Sequence, residues 1–197
     1  MWNDRYAGDG YLFGTEPAAF LTRAAGWLRP GQTALSIADG EGRNSVWLAG
    51  QGLRVAAFEP SPNAVEKARR LAAARGVAVD FHSSDIEGWD WSRVFDVVVG
   101  IFIQFVGPEE RARLFTRIDR ALVPGGLLLL HGYAPRQVGY GTGGPPAEEN
   151  MYTLDLLRDA FAGYEVLSAD DYDAEVEEGS AHRGLSALID FVARKPG

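Results

Sequence analysis

The run Phe95-Asp96-Val97-Val98-Val99-Gly100-Ile101-Phe102 constrains this chain more than any other stretch. β-branched and aromatic residues follow one another there with one charge and no alternation, the pattern of a strand covered on both faces in a parallel sheet. Parallel neighbours need crossover connections, normally helices. The rest of the sequence supplies both. Strands are expected at 33–38, 54–58, 77–82, 127–133, 165–169 and 185–193. Apolar residues at helical spacing lie between them: Phe20, Leu21, Ala24, Trp27 and Leu28 from a start near Pro17; Val46, Trp47 and Leu48; and Val65, Ala68, Leu71 and Ala72, closed by Gly76. Two more follow: Leu114, Phe115, Ile118 and Leu122 from Pro108 to Pro124-Gly125-Gly126, and 154–161. The alternation predicts a doubly wound, Rossmann-like α/β fold with helices on both faces of the sheet. We expect one domain over 1–197, with an N-terminal arm and helix at 1–30 and a Gly/Pro-rich loop at 138–150.

In such sheets ligands bind beyond the carboxyl ends of the strands. After the first strand comes Ala38-Asp39-Gly40-Glu41-Gly42-Arg43-Asn44, a sharp turn into a helix. Gly40 and Gly42 let backbone approach a ligand closely, and the helix start offers unpaired N–H groups. Glu59 follows 17 residues after Gly42, at the end of the second strand, where a carboxylate accepts hydrogen bonds from ribose hydroxyls. Asp85-Ile86, after the third strand, can present a carboxylate to an adenine amino group and an apolar surface to its ring; a helix or turn cap is the alternative reading of Asp85. Together these point to an adenosine-containing cofactor. Ile101 closes the fourth strand. His131 closes the fifth and is the first candidate for a general base. Tyr6, Tyr11 and Phe13 are candidates for an aromatic lid over a cationic or planar ligand, with packing of the arm as the alternative.

The net charge of −8, from 19 Lys and Arg against 27 Asp and Glu, repels phosphate backbones and anionic membranes, so a small-molecule partner is expected rather than nucleic acid or membrane. With no cysteine, thiolate metal sites and cysteine nucleophiles are excluded, and His82, His131 and His182 are too scattered for a zinc pair. The N-terminus lacks a secretory pattern, and no run approaches the ~18 apolar residues of a membrane helix; a cytoplasmic location is expected.

These residues resemble the class I S-adenosylmethionine-dependent methyltransferases, and more narrowly the small TehB-like (methyltransferase type 11/12) group. The resemblance rests on 35–49 for the glycine motif and its helix, Glu59-Pro60-Ser61-Pro62-Asn63-Ala64 for the acidic motif, Phe95-Asp96-Val97-Val98-Val99, and Leu122-Val123-Pro124-Gly125-Gly126. The opening Trp2-Asn3-Asp4-Arg5-Tyr6 and the loop 139–146 are also similar to small bacterial members. It implies a seven-stranded sheet with its last strand antiparallel and S-adenosylmethionine as cofactor. Carried over, it implies that Ala38, Asp39, Gly40, Gly42, Asn44, Glu59, Pro60, Asp85, Ile86 and Ile101 hold that cofactor, and that Gln104 and Tyr140 lie on the acceptor side. The chain departs from the group at Ser36, where an acid is usual, and at Ala38, where glycine is usual. A methyltransferase-like module that has lost its cofactor is therefore a second reading. A nicotinamide-dependent oxidoreductase is a third, disfavoured because 40–45 lacks the last small residue of the dinucleotide fingerprint.

Overall fold

The computed structural model describes residues 2–179 and 182–197. Its strands are β1 (Thr33–Ile37), β2 (Arg54–Glu59), β3 (Val79–Ser83), β4 (Phe95–Ile101), β5 (Leu122–Tyr133), β6 (Glu165–Glu178) and β7 (His182–Arg194). They form one seven-stranded sheet in the order β3-β2-β1-β4-β5-β7-β6, with β7 antiparallel to β5. The helices are α1 (Trp2–Arg5), α2 (Ala19–Ala24), α3 (Arg43–Gly50), α4 (Pro62–Arg75), α5 (Pro108–Ala121) and α6 (Leu154–Ala160). The chain divides into two compact units: Met1–Asp90 with Glu178–Ala181, and Trp91–Glu177 with His182–Gly197.

In the first unit, β2 pairs in parallel with β1 and with β3, and Ala34, Leu35, Ala56, Ala57 and Phe58 are buried. Helix α4 starts where the sequence says it should. Ser61 is its N-cap and accepts from the Ala64 N–H at 3.2 Å, Pro62 opens it, and Gly76, at φ +66°, ends it. Gly42 must be glycine for packing reasons: at φ +88°, a Cβ there would lie 2.6 Å from the Ala68 Cβ of α4.

In the second unit, β4 and β5 pair in parallel, and α5 buries Leu114, Phe115, Ile118 and Ala121 while carrying Glu109 and Glu110 in its first turn and Arg120 in its last. The structure corrects several expected boundaries. Helix α5 stops at Ala121, because Leu122 is already extended and pairs with Phe95, so 124–126 become an irregular start to β5 instead of a helix end. Strand β3 starts two residues late. Strand β6 runs to Glu178, far beyond 169, because Tyr172, Ala174 and Val176 alternate with exposed acids and share an apolar cluster with Tyr133, Met151 and Leu188. The 138–150 loop includes 3-10 turns ending at Gly139 and spanning Glu148–Asn150. Among the described residues no helix is long and apolar enough to cross a membrane.

Candidate functional site

The turn after β1 in the first unit is built from left-handed residues: Ala38, Gly40 and Gly42 have φ of +48°, +60° and +88°. Only Ala38 bears a side chain in that region, so the expected glycine is missing at a position whose backbone would favour one. The expected carboxylate is not missing from the turn. Asp39 folds back beneath it and accepts from Ser36 Oγ at 2.7 Å, from Ser45 Oγ, and from the Ser45 N–H at 3.3 Å. It thereby caps α3, whose own N-cap Gly42 has no side chain to do so. Burial pushes the Asp39 carboxyl up to about 7, against the opposing pull of these donors.

Glu59, at the end of β2, grips the same turn. One carboxylate oxygen accepts from the Gly40 N–H at 3.1 Å and the other from the Ser61 N–H at 3.0 Å. Burial raises its carboxyl above the usual range, opposed by the two N–H groups. Ser83, at the end of β3, is its register partner, and an open cleft of about 450 Å³ is lined by Pro60, Ser83, Ser84, Asp85 and Gly88. Asp85 is exposed and its Oδ1 accepts from the Gly88 N–H at 2.8 Å, while Ile86 is half-buried. Pro60 and Asp85, two of the residues expected to hold a cofactor, thus line one cleft, and Glu59 precedes the first of them. Carboxylates at adjacent strand ends beside an open cleft are acceptors placed for the hydroxyl and amino donors of an adenosine.

Other expected residues have structural partners. Asn44 Oδ1 accepts from the Ala18 N–H at 3.0 Å and so anchors the start of α2. Tyr11 donates its hydroxyl to the Lys67 carbonyl, and its ring packs on the Val46, Leu71 and Ala72 cluster. Tyr6 is buried; its ring stacks on Trp2 with centroids 5.7 Å apart and meets Phe13 edge-on at 6.4 Å. Its hydroxyl lies 3.3 Å from where a Gly40 Cβ would be. Burial, then the charges of Glu59 and Glu41, raise the Tyr6 hydroxyl well above the usual tyrosine range, so it stays a donor.

Sequence reasoning missed Glu41 and Lys67. Their ion pair is buried at 2.8 Å; Lys67 also donates to the Gly10 carbonyl at 2.6 Å, and Glu41 accepts from the Leu12 N–H at 2.7 Å. Asn3 adds a second tie, its side-chain oxygen accepting from Ser61 Oγ at 2.8 Å and from the Asn63 N–H at 3.2 Å. A lysine on the otherwise apolar stripe Ala64, Ala68, Leu71 is the one signal that announced a partner.

In the second unit, Ile101 is the register partner of His131 at the ends of β4 and β5. His131 is buried, and its Nδ1 lies 2.7 Å from Asp190 Oδ1, an acid that the sequence reading passed over. Gln104 is buried too. Its amide accepts from the Tyr133 N–H at 2.7 Å and donates to the Tyr133 carbonyl at 2.8 Å, holding the end of β5 from both sides. Tyr140 is exposed to solvent on one side and donates to Asp173 at 2.6 Å, where Arg136 also binds.

Residues 34–126 match the family model described as "Methyltransferase domain". The chain is 38% identical over 106 residues to the ribosomal RNA small subunit methyltransferase C of Chromohalobacter salexigens, covering 51% of this chain and 31% of that protein. It spans about a third of the length of the first curated relatives it matches. Its fold is that of TehB from Haemophilus influenzae (TM-score 0.74, 16% identity, 98% of this chain and 65% of that one). The N-methyltransferase NodS from Bradyrhizobium japonicum, solved with S-adenosyl-L-homocysteine, shares it as well (TM-score 0.71, 13% identity, 100% and 97%).

Proposed function

We propose that this chain, whose residues 34–126 match the methyltransferase-domain model and whose fold is shared with TehB and NodS, transfers a methyl group from S-adenosylmethionine to a small-molecule acceptor. The observation that carries this reading is Glu59, a buried carboxylate that clamps the Gly40 turn and stands next to the cleft that Pro60 and Asp85 line. When bound, the cofactor supplies a methyl group made electrophilic by its positively charged sulfur. The protein's tasks are to bind, orient and exclude water. Gly40, Glu59, Pro60, Asp85 and Ile86 would hold the adenosine end. Ala38, Asp39, Gly42 and Asn44 set the shape of the turn and of α3 behind it. In the second unit, His131 is proposed as the general base, with Ile101 its register partner. Tyr6 and Phe13 would cover the site, Tyr11 holding their segment in place. Gln104 would position the Tyr133 backbone and Tyr140 belongs to the acceptor-side loop. The net charge of −8 supports a small acceptor over an RNA.

Calorimetric titration tests this reading. S-adenosylhomocysteine is expected to bind and to raise the melting temperature, and NAD to do neither. Binding of NAD alone would favour the oxidoreductase, and binding of neither the module without a cofactor. Transfer of labelled methyl groups to purified ribosomal RNA, with none to small molecules, would replace the acceptor class.

A further inference from the structure

Asp190 interrupts the most apolar stretch of β7: Ala187, Leu188 and Ile189 before it and Phe191, Val192 and Ala193 after it are all buried. A carboxylate is costly there unless its charge is used or compensated. It faces His131 directly, since the two are register partners across the antiparallel β5–β7 pair. His131 Nδ1 lies 2.7 Å from Asp190 Oδ1, and the Tyr172 hydroxyl of β6 donates to the same oxygen at 3.1 Å. Three neighbouring strands therefore line up Tyr172, Asp190 and His131 in one row. Beside it Phe102 is held at φ +55°, a strained conformation for a bulky residue; its N–H donates to the His131 carbonyl at 2.8 Å and its ring meets the imidazole edge-on at 4.8 Å. The row lies at the carboxyl ends of β4 and β5, where parallel sheets present catalytic groups.

We propose that Asp190 and Tyr172 are positioning residues that hold His131 with its proton on Nδ1 and its lone pair on Nε2, and that the acceptor is a hydroxyl or thiol compound whose oxygen or sulfur must lose a proton. This rests on the methyl-transfer reading above and narrows it, because an anion such as iodide or tellurite needs no such base. In the proton transfer the acceptor's O–H or S–H bond breaks, its electron pair stays on oxygen or sulfur, and the proton bonds to Nε2. The imidazolium so formed is held by the Asp190 carboxylate, which the Tyr172 hydroxyl keeps in place.

The test combines nitrogen NMR of His131 in the full chain with methyl transfer from labelled S-adenosylmethionine. The acceptors are a phenol and thiol series on one side and iodide and tellurite on the other. The wild type should show the Nδ1–H tautomer, and Asp190→Asn should turn it to Nε2–H. Phenols or thiols should be methylated, with kcat falling on the order of 100-fold or more in Asp190→Asn and His131→Gln and about 10-fold in Tyr172→Phe, at nearly constant KM. S-adenosylhomocysteine affinity serves as the fold check. If Asp190→Asn fails it, the wild-type tautomer and the Tyr172→Phe kinetics decide. An Nε2–H tautomer in the wild type, methylation of iodide or tellurite alone, or no transfer to any phenol or thiol overturns the proposal while the cofactor reading stands. Failure of the wild type to bind S-adenosylhomocysteine overturns both.

Discussion

The two units treat their buried charges in opposite ways. In the first, the carboxylates of Asp39, Glu41 and Glu59 all accept from main-chain N–H groups, at Ser45, Leu12, and Gly40 with Ser61. In the second, Asp190 meets two side chains, His131 and Tyr172, and neutral amides, those of Gln104 and Gln137, accept from the main-chain N–H groups of Tyr133 and Ala187. A carboxylate tied to main chain fixes the shape of a turn. One tied to an imidazole fixes a tautomer, which is a chemical state. The first unit is built as a mould, whereas the buried carboxylate of the second fixes an imidazole.

The comparison breaks most readily at Glu41. Glu41→Gln removes the charge that balances the buried Lys67 ammonium, leaving it neutral acceptors and the Tyr11 ring 6.0 Å away, and should cost about 3–5 kcal/mol in urea denaturation; replacing both residues by apolar ones of similar size should recover much of the loss. If Glu41→Gln costs nothing, the mould is softer than its geometry. The matching change in the second unit, Gln104→Leu, takes the Gln104 partner from the Tyr133 N–H and leaves the Tyr133 carbonyl only the Tyr152 N–H at 3.0 Å, and should cost about 1–3 kcal/mol.

An effect of similar size sharpens the contrast through pH. The Asp39 carboxyl is raised in the fold, so the unfolded chain gives up this proton more readily than the native protein does. The group's stabilising contribution is full below its ordinary value near 3.8 and is lost as pH rises through about 7. Between pH 8 and pH 5 the wild type should therefore gain roughly 2–3 kcal/mol relative to Asp39→Asn, measured by paired melting curves. Equal slopes would mean that Asp39 is ionised throughout. The smallest effect belongs to Ala38→Gly, which should stabilise by about 1 kcal/mol by removing a Cβ from a left-handed position. A loss instead would mean that the methyl group is needed where it stands.

The seven strands and the order of helices between them were legible because covered parallel strands and helical stripes leave strong periodic marks in sequence. The turn was legible as a turn, but its charge balance was not. Ser36 reads as a lost carboxylate until the fold shows Asp39 reaching it from three residues on. Asp190, Lys67 and Gln104 find partners 59, 26 and 29 positions away, distances over which no local pattern operates. The acids between Asp170 and Glu177 hid β6, since charged residues are rare in strands, although every second residue from Tyr172 to Val176 is apolar and marks a one-sided strand.

The ties of the N-terminal segment have a consequence for how the chain is made. Asn3 finds its partners at Ser61 and Asn63, and Gly10 finds its partner at Lys67, 57 to 60 positions later. On a ribosome adding roughly 5–20 residues per second, the opening segment waits about 3–12 s for α4 to emerge. Through the first part of that interval, until Gly40 emerges, Trp2, Tyr6 and Phe13 have each other but not the glycine turn against which Tyr6 finally lies. These residues thus leave the ribosome well before the helix they dock on, and a chaperone that binds aromatic segments would meet them in that interval.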